Sequence, residues 1–397
     1  MESITALFDR FKPVIYVLRC ALNNTTPGKG FLETVNPAEL RALCRFHGVN
    51  AMAAMVVLSA EDAESSLSRE EIKKWSDTKS RALGKYLTVK DETDLVCGAL
   101  AKKGIRFTKL KGMVIGNYYP KPGMREMSDV DLLIDSGKRE QACEVLESFG
   151  YKPEAFGQSN HDVYEKPPML CFEIHDELFT RYHRRFYDYY INCREKMLTD
   201  PENPFELRFT DEDFYIYQLV HSIKHLYDSG VGLRALTDIY VFLNKFTARR
   251  EYIDRELKAL GIDREERVMA SLAHKLFSPE KPLDELSFTP EEENILAIIL
   301  QSGANGTLSQ SIKNQASRDI FAENTEITGK NKRAYIRSRL FPKPEAYEIS
   351  HPFFYKHKAF RPLLVFVRIG ESLFRKKGEL TRELKMLSRV SDKNRKL

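Results

Sequence analysis

Asp129 and Asp131 stand one residue apart in the stretch KLKGMVIGNYYPKPGMREMSDVDLLID, residues 109–135. An apolar run follows them and reads as a strand, on which positions separated by one residue face the same side. Two carboxylates on one side can hold a divalent cation, and Mg2+ takes a few such oxygens together with phosphate oxygens. A third carboxylate, Glu173, lies in the alternating segment Leu170-Cys-Phe-Glu-Ile-His. A Glu in the middle of a half-buried strand is costly unless it is paired or metal-bound. Upstream, Gly112 lets the backbone approach a phosphate, and the short helix after it presents N–H groups. Lys111 and Arg125 add positive charge, Arg125 in a form that grips phosphate oxygens in pairs. Ser128 can contact a phosphate or cap locally, and His175, on the strand face of Glu173, can contact the nucleotide or the acceptor. This set suits nucleotidyl transfer, which needs a nucleoside triphosphate held in line with an acceptor and one or two divalent cations to spread the developing charge.

Each of these residues also has a plainer reading. D-x-D occurs at strand ends as solvated charge, Glu173 can pair with a lysine, and Lys111 can be a surface lysine. Arg125 can pair with Glu126 or Asp129, and His175 can simply pack. His221 and His225, four apart on one helix face with Asp228 nearby, have a zinc-compatible spacing but no clear third ligand. Arg234 and Asp238 have the spacing of a helical ion pair, and Tyr118 and Tyr119 read as packing residues.

The elements that must position this set follow from periodicity and breakers. Asn36-Pro37 opens one helix and Ser68-Arg-Glu-Glu another running through Trp75, with an apolar helical run at Ala51–Leu58 between them. From about residue 83 the pattern changes. A helix at Leu87–Lys103 stops at Gly104, and Ile105–Leu110 alternates as a strand. A short helix at Met113–Tyr119 ends at Pro120 and Pro122-Gly123. Then come a strand at Val130–Ile134, a helix at Lys138–Phe149, and strands at Val163–Lys166 and Leu170–His175 with Pro167-Pro168 at the turn. Helices return at Phe214–Tyr227, Leu233–Phe246, Arg249–Leu260, Glu265–Leu276 and Pro290–Leu300. Residues 303–330 read as a polar connection, and a basic amphipathic helix is expected from about Pro362 to Leu387. The division is a helical region 1–82, an α/β core 83–200 and a helical region 201–397 with a basic tail.

The bulk properties bound the rest. The 397 residues suffice for two or three domains with their own cores, and 42% hydrophobic with 30% charged content is ordinary for a globular chain. Apolar runs such as Pro362–Val367 and Ala51–Leu58 fall far short of the ~20 residues that cross a bilayer. The start, MESITALFDRFKP, lacks the basic and apolar regions of a secretory signal. Six scattered cysteines without a C-x-x-C pair argue against a disulfide framework or zinc knuckle, so the expected location is cytoplasmic. The net charge of +5 hides an asymmetry. Residues 330–397 hold 19 Lys and Arg against 6 Asp and Glu, a net of +13, which leaves −8 on the rest. Such a tail can attract nucleic acid, anionic lipid or a phosphate-rich substrate, or it can be a solvated helical face.

The ordered motifs K-G, R, S-D-x-D and E-x-H resemble those of the uncharacterised bacterial nucleotidyltransferases of the DNA polymerase β superfamily. The likeness continues through His221-Ser-Ile-Lys-His225, through Gly232-Leu-Arg-Ala-Leu-Thr-Asp-Ile, and into Leu340-Phe-Pro. It covers about residues 35–390. The resemblance implies an α+β fold, a small mixed sheet between helical regions, and an NTP as co-substrate. It implies Mg2+ or Mn2+ on Asp129, Asp131 and Glu173, the last helping to activate the acceptor. Lys111-Gly112 stand where better-known members have Gly-Ser or Gly-Gly, and Asp176 follows His175 where an aromatic is usual. The expected acceptor is a hydroxyl of a small molecule or sugar. A protein or tRNA acceptor, or a nucleotide-binding protein without catalysis, are the alternatives.

Overall fold

The computed structural model describes residues 3–157, 159–246, 248–304, 306–307, 310, 314 and 351–374. It is a mixed α+β protein whose sheet lies between helical layers. Five helices come first: α1 (Ile4–Leu22), α2 (Pro37–Phe46), α3 (Asn50–Val57), α4 (Ala63–Ser66) and α5 (Arg69–Lys102). The sequence signals for two of the starts act as such. The Asn36 side chain accepts the amides of Ala38 and Glu39, and the Ser68 hydroxyl accepts the amide of Glu71. The two helices expected at Ser68–Trp75 and Leu87–Lys103 are one helix of 34 residues. Gly84 within it costs only about 1 kcal/mol relative to Ala. Packing at both ends carries the helix through, with Trp75 buried in one core and Val89, Val96 and Leu100 in another.

The sheet contains β1 (Phe107–Lys109), β2 (Val130–Ile134), β3 (Lys152–Ala155), β4 (His161–Lys166) and β5 (Leu170–His175), in the order β1-β2-β5-β4-β3. Strands β2 and β5 are parallel; the other neighbours are antiparallel. β3 has no counterpart in the sequence reading. Its residues, Lys-Pro-Glu-Ala, lie at the sheet edge, where a proline and charges are tolerated. Between β1 and β2 lies the short α6 (Gly112–Ile115), and between β2 and β3 lies α7 (Arg139–Ser148).

The strand period gives the sheet two unlike faces. Val130, Leu132, Ile134, Leu170, Phe172 and Ile174 pack with α5 and α7 into an apolar core. The intervening positions of β2 and β5, Asp131, Leu133, Cys171, Glu173 and His175, belong to the other face. That face meets α9 (Asp211–Asp228) and α10 (Leu233–Lys245), which follow α8 (Arg184–Tyr190). Then come α11 (Arg250–Leu260), α12 (Asp263–Phe277) and α13 (Pro290–Ser302). The early and late helices share one hydrophobic core, in which Ile15 and Leu18 of α1 join Tyr215, Phe242, Leu272 and Leu296. Two further helices cover Pro352–Lys356 and Arg361–Phe374, so the expected tail helix is helical over its described part. Its continuation to Leu387, Leu340-Phe-Pro and most of 303–330 lie outside the described residues. No helix among the described residues is long and apolar enough to cross a membrane. All six cysteines are free thiols.

Candidate active site

Register brings the carboxylates together. β2 and β5 pair in parallel with Asp131 opposite Glu173, and Asp129 lies just before β2 with the parity of Asp131. Asp129, Asp131 and Glu173 each offer an oxygen within 4.8 Å of the others. They line a cavity of about 380 Å³ between the site face of the sheet and the helices α9 and α10.

Lys111 occupies the centre of this cluster. Its Nζ lies 2.6 Å from Asp131 Oδ1 and 3.7 Å from Glu173 Oε2. His175 Nε2 lies 3.0 Å from Asp131 Oδ1 and 3.5 Å from Glu173 Oε2. Burial by itself would raise the Asp131 carboxyl, but Lys111 and His175 outweigh it and hold it below the usual carboxylate range. Burial would likewise lower the Lys111 ammonium; Asp131 above all holds it above its ordinary value. His175 is pushed down by burial and up by its bonds to Asp131 and Glu173, and the carboxylates win. Asp129 is raised by burial and by the neighbouring charges of Asp131 and Glu173. Its own bond is to the Ser128 hydroxyl, at 3.0 Å. A set of three oxygen donors, one of them raised by its neighbours, is the chemistry a hard divalent cation relieves. The donor set therefore fits Mg2+ or Mn2+, with the Lys111 ammonium as the positive charge that faces it in the protein alone.

The residues expected at the phosphates are arranged differently from the sequence reading. Arg125 lines the cavity, but its guanidinium is already paired within the protein. Its Nε and Nη2 each donate to Asp238 at 2.9 Å, and its Nη1 donates to the Glu126 carbonyl at 2.7 Å. Asp238 is 3% exposed, and it also accepts the Tyr119 hydroxyl at 2.6 Å. A buried carboxylate without a cation would be costly, so Asp238 claims the guanidinium. This also corrects the expected Arg234–Asp238 helical pair. Gly112 does make a close approach, but to a side chain. A Cβ there would stand 2.7 Å from Met127 Cγ. The helix after it is four residues long, and the amides of Met113, Val114 and Ile115 bond back to Leu110 and Lys111. The expected set of free helix-start amides is thus largely used.

Two cations of the cavity wall received little or no weight in the sequence reading. Lys224 on α9 has no ion pair or hydrogen bond among the described residues, and burial together with Lys111 lowers its ammonium. Arg234 at the start of α10 donates one side-chain hydrogen bond among the described residues, to the Glu126 carbonyl at 3.4 Å, and burial beside Arg125 lowers it. The signal for Lys224 was its helical spacing from Tyr217 and His221 on one face of α9. His221 and His225 also face the cavity, with Nε2 atoms 3.2 Å apart. Burial pushes both down, His225 to about 4, so the pair is neutral. Neither belongs to a three-ligand cluster among the described residues.

Residues 33–278 match the model of a family described as an uncharacterised nucleotidyltransferase. The chain belongs to that family and is, at that level, a transferase of nucleotidyl groups. No curated protein and no solved structure matches it.

Proposed function

We propose that this chain moves a nucleoside monophosphate from an NTP to a hydroxyl group of a small-molecule or sugar acceptor, releasing pyrophosphate, with the chemistry of the DNA polymerase β superfamily. The observation that carries this reading is the convergence of Asp129, Asp131 and Glu173 on one face of the sheet, at the wall of one cavity. We read 83–200, which begins within α5, as the catalytic unit and 1–82 and 201–397 as its helical flanks. Mg2+ or Mn2+ held by the three carboxylates would spread the charge of the transferring phosphoryl group.

The chain's own groups supply the rest. Lys224 and Arg234 are half-buried cations at the cavity wall with no ion pair among the described residues, and an anionic ligand would complete their charge balance. They are the triphosphate contacts in this reading, with Lys111 and Ser128 nearer the carboxylates. Arg125 acts at one remove by fixing the 116–127 segment to α10 through Asp238. Gly112 gives Met127 room beneath the site, and His175 holds Asp131 and Glu173 in place. The acceptor oxygen attacks the α-phosphorus, the bond to the bridging oxygen breaks as pyrophosphate leaves, and Glu173 takes the hydroxyl proton in this reading. A cavity of about 380 Å³ has the size of small-ligand sites and favours an acceptor that fits within it.

Asp129→Asn with Asp131→Asn tests the assignment. Pyrophosphate release should fall to background while the far-UV dichroism stays unchanged; undiminished turnover in a folded double variant rejects it. Incubation with each labelled NTP, Mg2+ and cell extract, followed by identification of the labelled product, would name the acceptor. Labelling of protein or tRNA rather than a small molecule would favour a macromolecular acceptor.

A further inference from the structure

A second set of ligand atoms lies beside the three carboxylates. His161 opens β4 and sits directly across the β4–β5 ladder from His175. Their rings are 4.9 Å apart. Glu173, two residues before His175, turns one oxygen toward each ring. Oε1 is 4.0 Å from His161 Nε2, and Oε2 is 3.5 Å from His175 Nε2, whose bond to Asp131 at 3.0 Å an ion would replace. The two imidazole nitrogens and the Glu173 carboxylate each offer an atom within 4.8 Å of the others.

Two ligands bonded at about 2.1 Å to one ion stand roughly 3–4 Å apart, depending on the angle between them. The separations from Glu173 to each histidine match that range. The donor types then select the ion. Two imidazoles and a carboxylate suit a first-row transition ion, whereas Mg2+ prefers an all-oxygen set. All three residues line the cavity, with His175 almost fully buried and His161 and Glu173 partly open toward it, so an ion has an entry path.

We propose that His161, Glu173 and His175 form a second cation site, selective for a divalent transition ion. Glu173 serves as a bridge to the site of Asp129 and Asp131. The bridge rests on the functional reading above; the site's selectivity does not. The sheet register makes this arrangement: β2 and β5 bring the oxygen set together, and β4 adds one imidazole from the far side of Glu173. One cavity then holds two cations of different chemistry, a hard ion on the carboxylates and a borderline ion on the histidines.

The test uses the full chain stripped with chelator and titrated with Co2+ in the presence of excess Mg2+. One equivalent of Co2+ should remain bound, with visible absorption characteristic of nitrogen ligation. His161→Gln should weaken that binding at least tenfold, and so should His161→Asn, with near-UV dichroism reporting that both variants are folded. Asp129→Asn should retain the Co2+ site, because Asp129 is not among its ligands. Displacement of Co2+ by Mg2+ from the unaltered chain would overturn the proposal, as would unchanged Co2+ affinity in the His161 variants. The function of the first site is judged separately, by turnover of the Asp129 and Asp131 double variant. Either reading can therefore fail while the other stands.

Discussion

Lys111 holds the carboxylate cluster together and bears a cost for it. Its φ of +45° lies in the region that favours glycine, and it is one of two such non-glycine residues among those described. A strained backbone of this kind costs on the order of 1–3 kcal/mol and persists only where the surroundings over-determine it. Here the ion pair with Asp131, 2.6 Å long and 2% exposed at the carboxylate, does so. Lys111→Met should destabilise the metal-free chain by about 3–5 kcal/mol, the scale of breaking a buried pair. Lys111→Gly should lose less, because it relieves the backbone while still losing the pair. Urea unfolding in chelator and again in Mg2+ checks both. Mg2+ should restore part of the loss by supplying the missing positive charge. Equal losses in the two variants would remove the backbone from the account.

At the scale of elements, the start of α10 is the junction on which the site depends. Arg125 ties the segment before β2 to α10 through Asp238, and His47 at the end of α2 accepts the Leu233 amide at 3.2 Å. A double-mutant cycle on Arg125→Met and Asp238→Asn should give a coupling energy of about 3 kcal/mol, within the range for contacting residues. A coupling near zero would show that the pair does not join these elements. His47 carries a pH dependence. Burial lowers its pKa from 6.5 to about 3, so the folded state binds fewer protons than the unfolded state between those values. Its contribution is fully present above pH 6.5 and is lost as pH falls, at a slope of up to about 1.4 kcal/mol per pH unit. Denaturant midpoints at pH 7.5 and 5.5 should therefore differ less in His47→Gln than in the unaltered chain. An identical pH response in the two would reject the assignment.

At the scale of the whole molecule, charge balance separates stability from function. Lys111 and Arg125 have carboxylate partners, whereas Lys224 and Arg234 face the cavity without one among the described residues. Half-buried cations without an ion pair weaken a fold and are retained where a ligand needs them. Replacing both with Met should raise the melting temperature and raise KM for the NTP at least tenfold. A drop in stability with KM unchanged would make them structural instead. The positive tail, +13 over residues 330–397, is a separate electrostatic feature. If it engages nucleic acid, binding should weaken steeply between low and physiological salt. No binding at low salt excludes that partner.

Local chemistry made much of this protein legible in its sequence. Strand alternation put Asp129 with Asp131 and Glu173 with His175, because a period of two is fixed by the backbone. The Asn36 and Ser68 caps and the apolar periodicities marked the main helices, and the ordered motifs pointed to the family that residues 33–278 match. Only the tertiary structure decided which strands are neighbours. The parallel pairing of β2 with β5 sets Asp131 opposite Glu173, and the pairing of β4 with β5 sets His161 opposite His175. It also decided where the cations went. Arg125 and Asp238 are 113 residues apart in the chain, and no local pattern links them. Lys224 gained its place in the cavity only when α9 packed over the sheet. A sequence states which side a residue faces within its own element; what it faces depends on contacts between elements distant in the chain.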